Sequence, residues 1–281
     1  NAELSRDWRL NITAGANSQE RIYTQNGQRS TQQLVYGLFD HDNFIVHDNF
    51  SEDGSRLDYK SQFLSIGVFA QANLAFREYL YLSVGGRNSW ASTLESENRS
   101  IFYPSVTASF IPTSAFEGLK NNRMINYLKI RAGYSTSANF GTPYTTRPVL
   151  NINTNQFVSR TGTVINSNSI DNRLANPNLQ PELLKEWEAG LEGKFIDNRL
   201  SLDFTYYDRN SQDQILSRDL DPSTGFTRTS INAGSVRNKG IEIAAGYTIV
   251  RNRNWNWQID VNYWQNRNKV TLPKDIEQIV I

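Results

Sequence analysis

The run from Asn176 to Gln214 holds two stretches of strict alternation around a turn of two polar residues. In the first, Trp187, Ala189, Leu191, Gly193 and Phe195 share one face, and Glu186, Glu188, Gly190, Glu192 and Lys194 the other. In the second, Leu200, Leu202, Phe204 and Tyr206 oppose Ser201, Asp203, Thr205 and Tyr207. A period of two belongs to a strand, and two such runs about Asp197-Asn198 predict an antiparallel hairpin. Each run is close to the ~9–11 residues of a tilted membrane strand, and its apolar face carries aromatics at both ends. The opposite face is too charged for a packed core. A soluble sandwich hides its apolar faces against a second sheet. A transmembrane barrel turns them to lipid and keeps the charges in a wet lumen.

The same alternation recurs along the chain. Trp8 to Ala16 predicts a first strand. Leu64 to Leu74 and Leu80 to Val84 form a second hairpin about Phe76-Arg77-Glu78. Further outward sets are Phe102 to Phe110, Leu128 to Tyr134, Ile241 to Ile249 and Trp255 to Tyr263. Residues 17–61, 137–184 and 211–235 lack sustained period and read as long polar loops, the first with strand pieces near Leu34 to Leu38. Residues 113–126 read as a helical turn. The connections run long, short, moderate, moderate, long, short, long, short, so the longer ones gather at one end of an up-and-down sheet. Outer-membrane barrels sort their loops in this way, with the short turns periplasmic. On that orientation Trp255, Trp257, Phe195 and Phe110 mark the periplasmic rim, and Tyr206, Tyr263, Trp187, Tyr134 and Phe102 the outer rim. The predicted fold class is all-β: an antiparallel up-and-down transmembrane β-barrel, of which about nine strands are visible, too few to close a large barrel.

Composition narrows the classes. Among 281 residues no run approaches the ~20 apolar residues of a spanning helix, whereas a barrel needs only alternate residues to be apolar. The absence of cysteine excludes disulfide scaffolds, thiolate metal sites and thiol catalysis. A net charge of +1 with dispersed basic residues gives no field for nucleic acid, so no nucleic-acid partner is expected. Aromatics at 12% suit interfacial girdles and glycan-binding clefts equally. The start NAELSRDW has no signal-peptide pattern, so a mature or excised piece is expected.

Several separated runs then resemble one family. LKIRAGYSTSAN (Leu128 to Asn139), NPNLQPELLKEWEAGLE (Asn176 to Glu192), NRLSLDFTYYDR (Asn198 to Arg209) and NAGSVRNKGIEI (Asn232 to Ile243) are similar, in order, to SusC/RagA-type TonB-dependent transporters, as are GGRNSWASTL and NRSIFYPSVTASF. The resemblance covers nearly the whole chain. It implies a barrel of about twenty-two strands occluded by an N-terminal plug, with TonB contacted through that plug. It also implies a SusD-like surface lipoprotein as partner, an oligosaccharide or peptide as substrate, and no cofactor. Plug and earlier strands have no counterpart here, so residues 1–281 are expected to be a portion of a single barrel domain.

Candidate site residues fall into two groups. Trp90, Tyr144, Phe157 and Phe226, read as loop aromatics, offer flat apolar faces to a sugar ring. Lys129, Arg131, Glu192 and Asp203 have lumen parity. The two-residue turn sets Glu192 opposite Asp203, and like charges across a strand pair call for a cation. Arg131, or failing it Lys129, is therefore expected within ion-pairing reach of Glu192. Asp40, His41, Asp42, His47 and Asp48 include metal-ligand types but read as a solvated loop. Glu186, Glu188, Glu192 and Asp203 are carboxylates of the kind glycoside hydrolysis uses, yet their alternation reads as lumen lining. No nucleophile motif surrounds any Ser or His, so neither a catalytic nor a metal site is expected. Asn11-Ile12-Thr13 has the form of a glycosylation acceptor but falls within a strand. The function expected is a non-enzymatic barrel portion of an energised importer. The alternatives are a soluble all-β glycan-binding module and, third, a barrel enzyme.

Overall fold

The computed structural model describes residues 2–3, 5–50, 56–120, 122–158 and 160–273. In chain order the strands begin with β1 (Ala2–Glu3), β2 (Trp8–Gln25), β3 (Arg29–Gln33), β4 (Phe44–Asp48), β5 (Tyr59–Phe76), β6 (Leu80–Ala91) and β7 (Ser100–Phe110). A one-turn helix α1 (Pro112–Ala115) leads to β8 (Ile125–Asn139), β9 (Leu150–Val158), β10 (Val164–Ile170) and β11 (Arg173–Leu174). Then come β12 (Glu182–Phe195), β13 (Leu200–Gln212), β14 (Ile215–Asp219), β15 (Arg228–Asn232), β16 (Ser235–Arg251) and β17 (Asn256–Thr271). One open sheet has the order β1-β2-β5-β6-β7-β8-β12-β13-β16-β17, with every neighbouring pair antiparallel.

Cross-strand register decides which face meets lipid. A single rung runs Trp8, Phe76, Leu80, Phe110, Ile130, Leu191, Phe204, Ile243, Tyr263, one residue from each of nine strands, and every residue is apolar or aromatic. The neighbouring rung, on the opposite face, runs Arg9, Ala75, Tyr81, Ser109, Arg131, Gly190, Thr205, Glu242, Trp264. No described residue forms a second sheet over the apolar face, and Ile12, Val68, Val84, Ile130 and Val261 all stand exposed on it. The soluble reading fails on that point, because a large apolar face in water is an aggregation surface.

The rung is also oblique to the membrane. Each step across a sheet is about 4.8 Å, and at a barrel tilt of about 40° it climbs about 3 Å, so eight steps climb about 25 Å. That matches the apolar band of a membrane barrel, about 25 Å tall. Trp8 therefore sits at one interface and Tyr263 at the other. The lower end is fixed by a run of contacting rings, Trp8 on Phe76 (4.5 Å between centroids), Phe76 on Tyr79 (5.4 Å), Tyr79 on Phe110 (6.1 Å) and Phe110 on Phe116 (6.1 Å). At the upper end Tyr134 packs on Trp187 at 4.5 Å.

The turn between β12 and β13 has the expected register. Phe195 pairs with Leu200, Arg199 N–H donates to the Ile196 carbonyl at 3.0 Å, and Ile196, Asp197 and Asn198 all take positive φ. The turn therefore spans the four residues between Phe195 and Leu200, longer than the two-residue turn expected, and keeps the register.

Several expectations change. β2 and β5 are 18 residues each, so the loop read as 17–61 shrinks to 26–58. Leu34 to Leu38 is the turn between β3 and β4, not strand, because Asn43 folds back and bonds Val35 and Leu38. The loop read as 137–184 contains the β9–β10 hairpin, and that read as 211–235 contains β14 and β15. Ile249 drops out of the outward set at a bulge between Thr248 and Val250, and Trp255 lies in the turn before β17. The few buried apolar residues described are Ala91 at the end of β6 and Leu94, Leu179 and Ala233 in the connections, with Leu179 fully buried.

Candidate functional site

The lumen wall is built from the polar rungs. Lys129, Glu192 and Asp203 share one rung on β8, β12 and β13, so the two acids do face each other. Arg131 stands one step up its strand and pairs in register with Gly190. Because Gly190 has no side chain, the Arg131 side chain lies flat across β12; a Cβ at Gly190 would fall 2.6 Å from Arg131 Nε. Arg131 Nη2 thereby reaches β13 and donates to Asp203 Oδ1 at 3.0 Å and to the Thr205 hydroxyl at 2.6 Å, while Nε lies 3.5 Å from Glu188 Oε1.

The expected cation is therefore present but serves Asp203 and Glu188. Among the described residues neither Arg131 nor Lys129 forms an ion pair with Glu192, which corrects the expectation. The physical reason is the diagonal that Gly190 opens. Above this cluster Arg209 forks onto Glu186 with two bonds of 3.0 Å. Together Lys129, Arg131, Glu186 and Glu188, with Tyr81 and Ser83, line a depression of about 360 Å³ in the wall. Carboxylates held by guanidinium forks and hydroxyls make a rigid polar surface. It has the chemistry to face a polar solute or a second polar protein surface.

The loop aromatics disperse. Trp90 is not on a loop: it lies in β6, paired with Ile66 and Ser100 on the lipid-parity face, half-buried. Tyr144 does lie on a loop, with a positive φ, and its phenol oxygen accepts from Gln62 N–H at 3.3 Å. Phe157 is in β9, with its backbone opposite Ile165, and its side chain lies outside the described residues. Phe226 is on the turn between β14 and β15, half-buried. Among the described side chains, Trp90, Tyr144 and Phe226 form no ring contact with one another.

What the sequence reading missed is a roof. Glu95, between β6 and β7, accepts two bonds of 2.8 Å from Arg147 and one of 3.0 Å from the Thr146 hydroxyl. The Arg147 guanidinium, and after it Thr146, holds the Glu95 carboxyl down at about 2. Asn176 donates to the Ser230 carbonyl and Asn232 to those of Gln180 and Asp213, while Leu179 lies fully buried among these segments. Asn232 and Leu179 lie in the runs NAGSVRNKGIEI and NPNLQPELLKEWEAGLE, whose spacing gives no sign that they meet. Trp264 was also missed; its even position beside the odd outward series placed it on the lumen rung. Asp40, His41, Asp42, His47 and Asp48 do not gather: among the described residues no group of three metal-ligating side chains occurs. His41 and His47 both meet the Ser30 hydroxyl instead, and Asp48 pairs with Arg29.

Comparison with known proteins agrees with this geometry. Residues 2–276 match the family model described as TonB dependent receptor-like, beta-barrel. The chain is 31% identical over 217 residues to TonB-dependent receptor P26 of Formosa agariphila, covering 76% of this chain and 21% of that protein. It is 24% identical over 217 residues to TonB-dependent receptor SusC of Bacteroides thetaiotaomicron, with the same two coverages. Its fold is similar to the RagAB peptide importer in the closed-closed state, with a TM-score of 0.75 at 20% identity over 97% of this chain and 29% of that one. The chain thus spans about a fifth of the length of the curated relatives it matches.

Proposed function

The chain belongs to the TonB-dependent receptor β-barrel family of Gram-negative outer-membrane proteins, and from that premise we propose that it forms part of an energised importer of oligosaccharides or peptides. Residues 1–281 are a portion of one barrel domain, non-enzymatic, acting with a plug that contacts TonB and with a SusD-like surface lipoprotein. The observation that carries this reading is the pair of adjacent rungs, one wholly apolar, the other bearing Arg9, Arg131, Thr205 and Glu242. Such a wall separates lipid from a polar passage. The names of relatives, a SusC and a peptide importer, support the substrate classes. The roof over the outer end supplies a surface on which a lipoprotein and a captured solute can rest.

The test uses cells lacking the full-length gene, with and without a plasmid copy. Uptake of labelled oligosaccharides and labelled peptides is measured before and after an uncoupler collapses the proton gradient. The reading expects at least one class to enter only with the gene and only with the gradient. Uptake that is indifferent to both overturns it.

A further inference from the structure

Above the upper aromatic girdle the lipid-parity face changes character. Trp187, Tyr206, Ile241 and Tyr263 are followed on the same face by Lys185, Asp208, Lys239, Arg237, Arg267 and Lys269. Register ties them into two rungs. Trp187, Asp208, Lys239 and Arg267 are one, and Lys185, Asn210, Arg237 and Lys269 the next. Five cations thus stand against one carboxylate on four adjacent strands. Asp208 is taken by the Arg237 fork, at 2.8 and 2.6 Å, and by Lys239 at 3.2 Å. Lys185, Arg267 and Lys269 form no ion pair with a described residue.

Position gives the patch its meaning. At about 3.3 Å per residue and a tilt of about 40°, these side chains lie roughly 30–40 Å above Trp8, about 5–15 Å beyond the top of the apolar band. They point away from the lumen, so neither a plug nor a passing solute meets them. What does lie against an outer-membrane barrel at that height is the headgroup layer of the outer leaflet. Its glycolipids carry phosphates, and guanidinium and ammonium groups fit phosphate as fork and point charge. We propose that Lys185, Arg267 and Lys269, with the Arg237–Asp208–Lys239 triad beside them, form a docking site for the phosphorylated headgroup of an outer-leaflet glycolipid. Apolar and aromatic residues directly below receive the acyl chains, so headgroup and tails are held by one continuous strip. The inference rests on the membrane setting of the barrel and is independent of what the barrel imports.

The full-length protein in detergent provides the test. Diphosphoryl lipid A is titrated against wild type and against the triple variant Lys185→Gln, Arg267→Gln, Lys269→Gln, with binding followed by native mass spectrometry and by the thermal midpoint. Lumen variant Lys129→Gln removes a charge from the other face and serves as the folded control. The expected result is binding weakened at least tenfold in the triple variant and unchanged in the control. Dephosphorylated lipid and inorganic phosphate are expected to raise the midpoint of wild type by less than a third as much as lipid A does. Equal binding by triple variant and wild type overturns the proposal. So does equal binding of the dephosphorylated lipid, or capture of an acidic surface protein by this patch with no response to lipid A.

Discussion

Because one rung climbs from Trp8 to Tyr263, the same chemical change made along it probes different depths of the membrane. Ile130 is the fourth step from Trp8, about 12 Å up and so near mid-membrane; Leu80 is about 6 Å up and Ile243 about 22 Å. Leu202, two residues below Phe204, falls at about 14 Å. A cationic charge on the lipid face costs about 2–4 kcal/mol at the midplane and about 0–1 near the interfaces, with carboxylates costing less. Ile130→Asp and Leu202→Asp are therefore expected to cost about 2 kcal/mol each, Leu80→Asp about 1 and Ile243→Asp less than 1. Thr205→Asp, on the lumen face beside Arg131, is expected to cost nothing measurable. The assay is the folded fraction of each full-length variant in the outer membrane, read by heat-modifiable gel migration, with the thermal midpoint of what folds. A penalty that is flat along the rung, or larger at Ile243 than at Ile130, refutes the diagonal placement. Tolerance of Ile130→Asp equal to that of Thr205→Asp refutes the facing itself.

Gly190→Ala puts a methyl 2.6 Å from Arg131 Nε, so the flexible guanidinium must lift and its bonds to Asp203 and Thr205 lengthen. With these groups partly exposed the expected loss is about 1 kcal/mol, read as a lowered thermal midpoint that Arg131→Met renders insensitive to the glycine change. Removing residues 150–170, whose backbone, among the described residues, pairs only within the β9–β10 hairpin, is expected to leave assembly intact while weakening uptake or lipoprotein docking in the full protein; loss of folding shows the hairpin to be structural. Leu179→Ala, at a fully buried site, is expected to cost about 2–5 kcal/mol within the roof and to expose the segments at 92–99, 140–149 and 213–234 to protease together, whereas nicking in one alone contradicts a shared core. Glu95 is depressed from an ordinary 4.5 to about 2, so its contribution is complete above 4.5 and lost as the pH falls through 2. Pepsin cutting near Arg147 is accordingly expected to rise between pH 4 and pH 2 in wild type and to be high throughout in Glu95→Gln.

Alternation made the wall legible because a membrane barrel writes its two solvents into alternate residues. Trp187 to Phe195 and Leu200 to Tyr206 have the expected facing and register, since a short turn and one lipid-facing side leave a hairpin little freedom to slip. The pairing of Glu192 with Asp203 followed from that turn. The destination of Arg131 did not, because register gives neighbours along a rung, whereas an arginine spans a strand and settles where the nearest gap lets it lie. The gap was Gly190, which read only as a small residue in a polar series. Strand ends were missed for a related reason: β2 and β5 run on past Ala16 and before Leu64 above the lipid, where both faces are wet and alternation has nothing to record. Trp90, near the upper end of β6, reads as a loop residue for the same reason.

The roof was the least legible part, and its physics explains why. In the wall, lipid does the work of a core, so its large apolar side chains stand exposed and the protein itself buries almost nothing there. Above the membrane that service ends, and segments from three separate connections must bury one another. They do so with single residues, Leu94, Leu179 and Ala233, and with amide and hydroxyl side chains that bond backbone groups more than fifty residues away. Such contacts have no period and no spacing, so sequence alone carries no trace of them. The β3–β4 hairpin, with Tyr36 and Phe39 exposed at its tip, stays outside this core and pairs only with itself among the described residues. Local opening proceeds where few buried contacts must break. The β3–β4 hairpin is therefore a part of this outer surface that can open without breaking the buried contacts around Leu179.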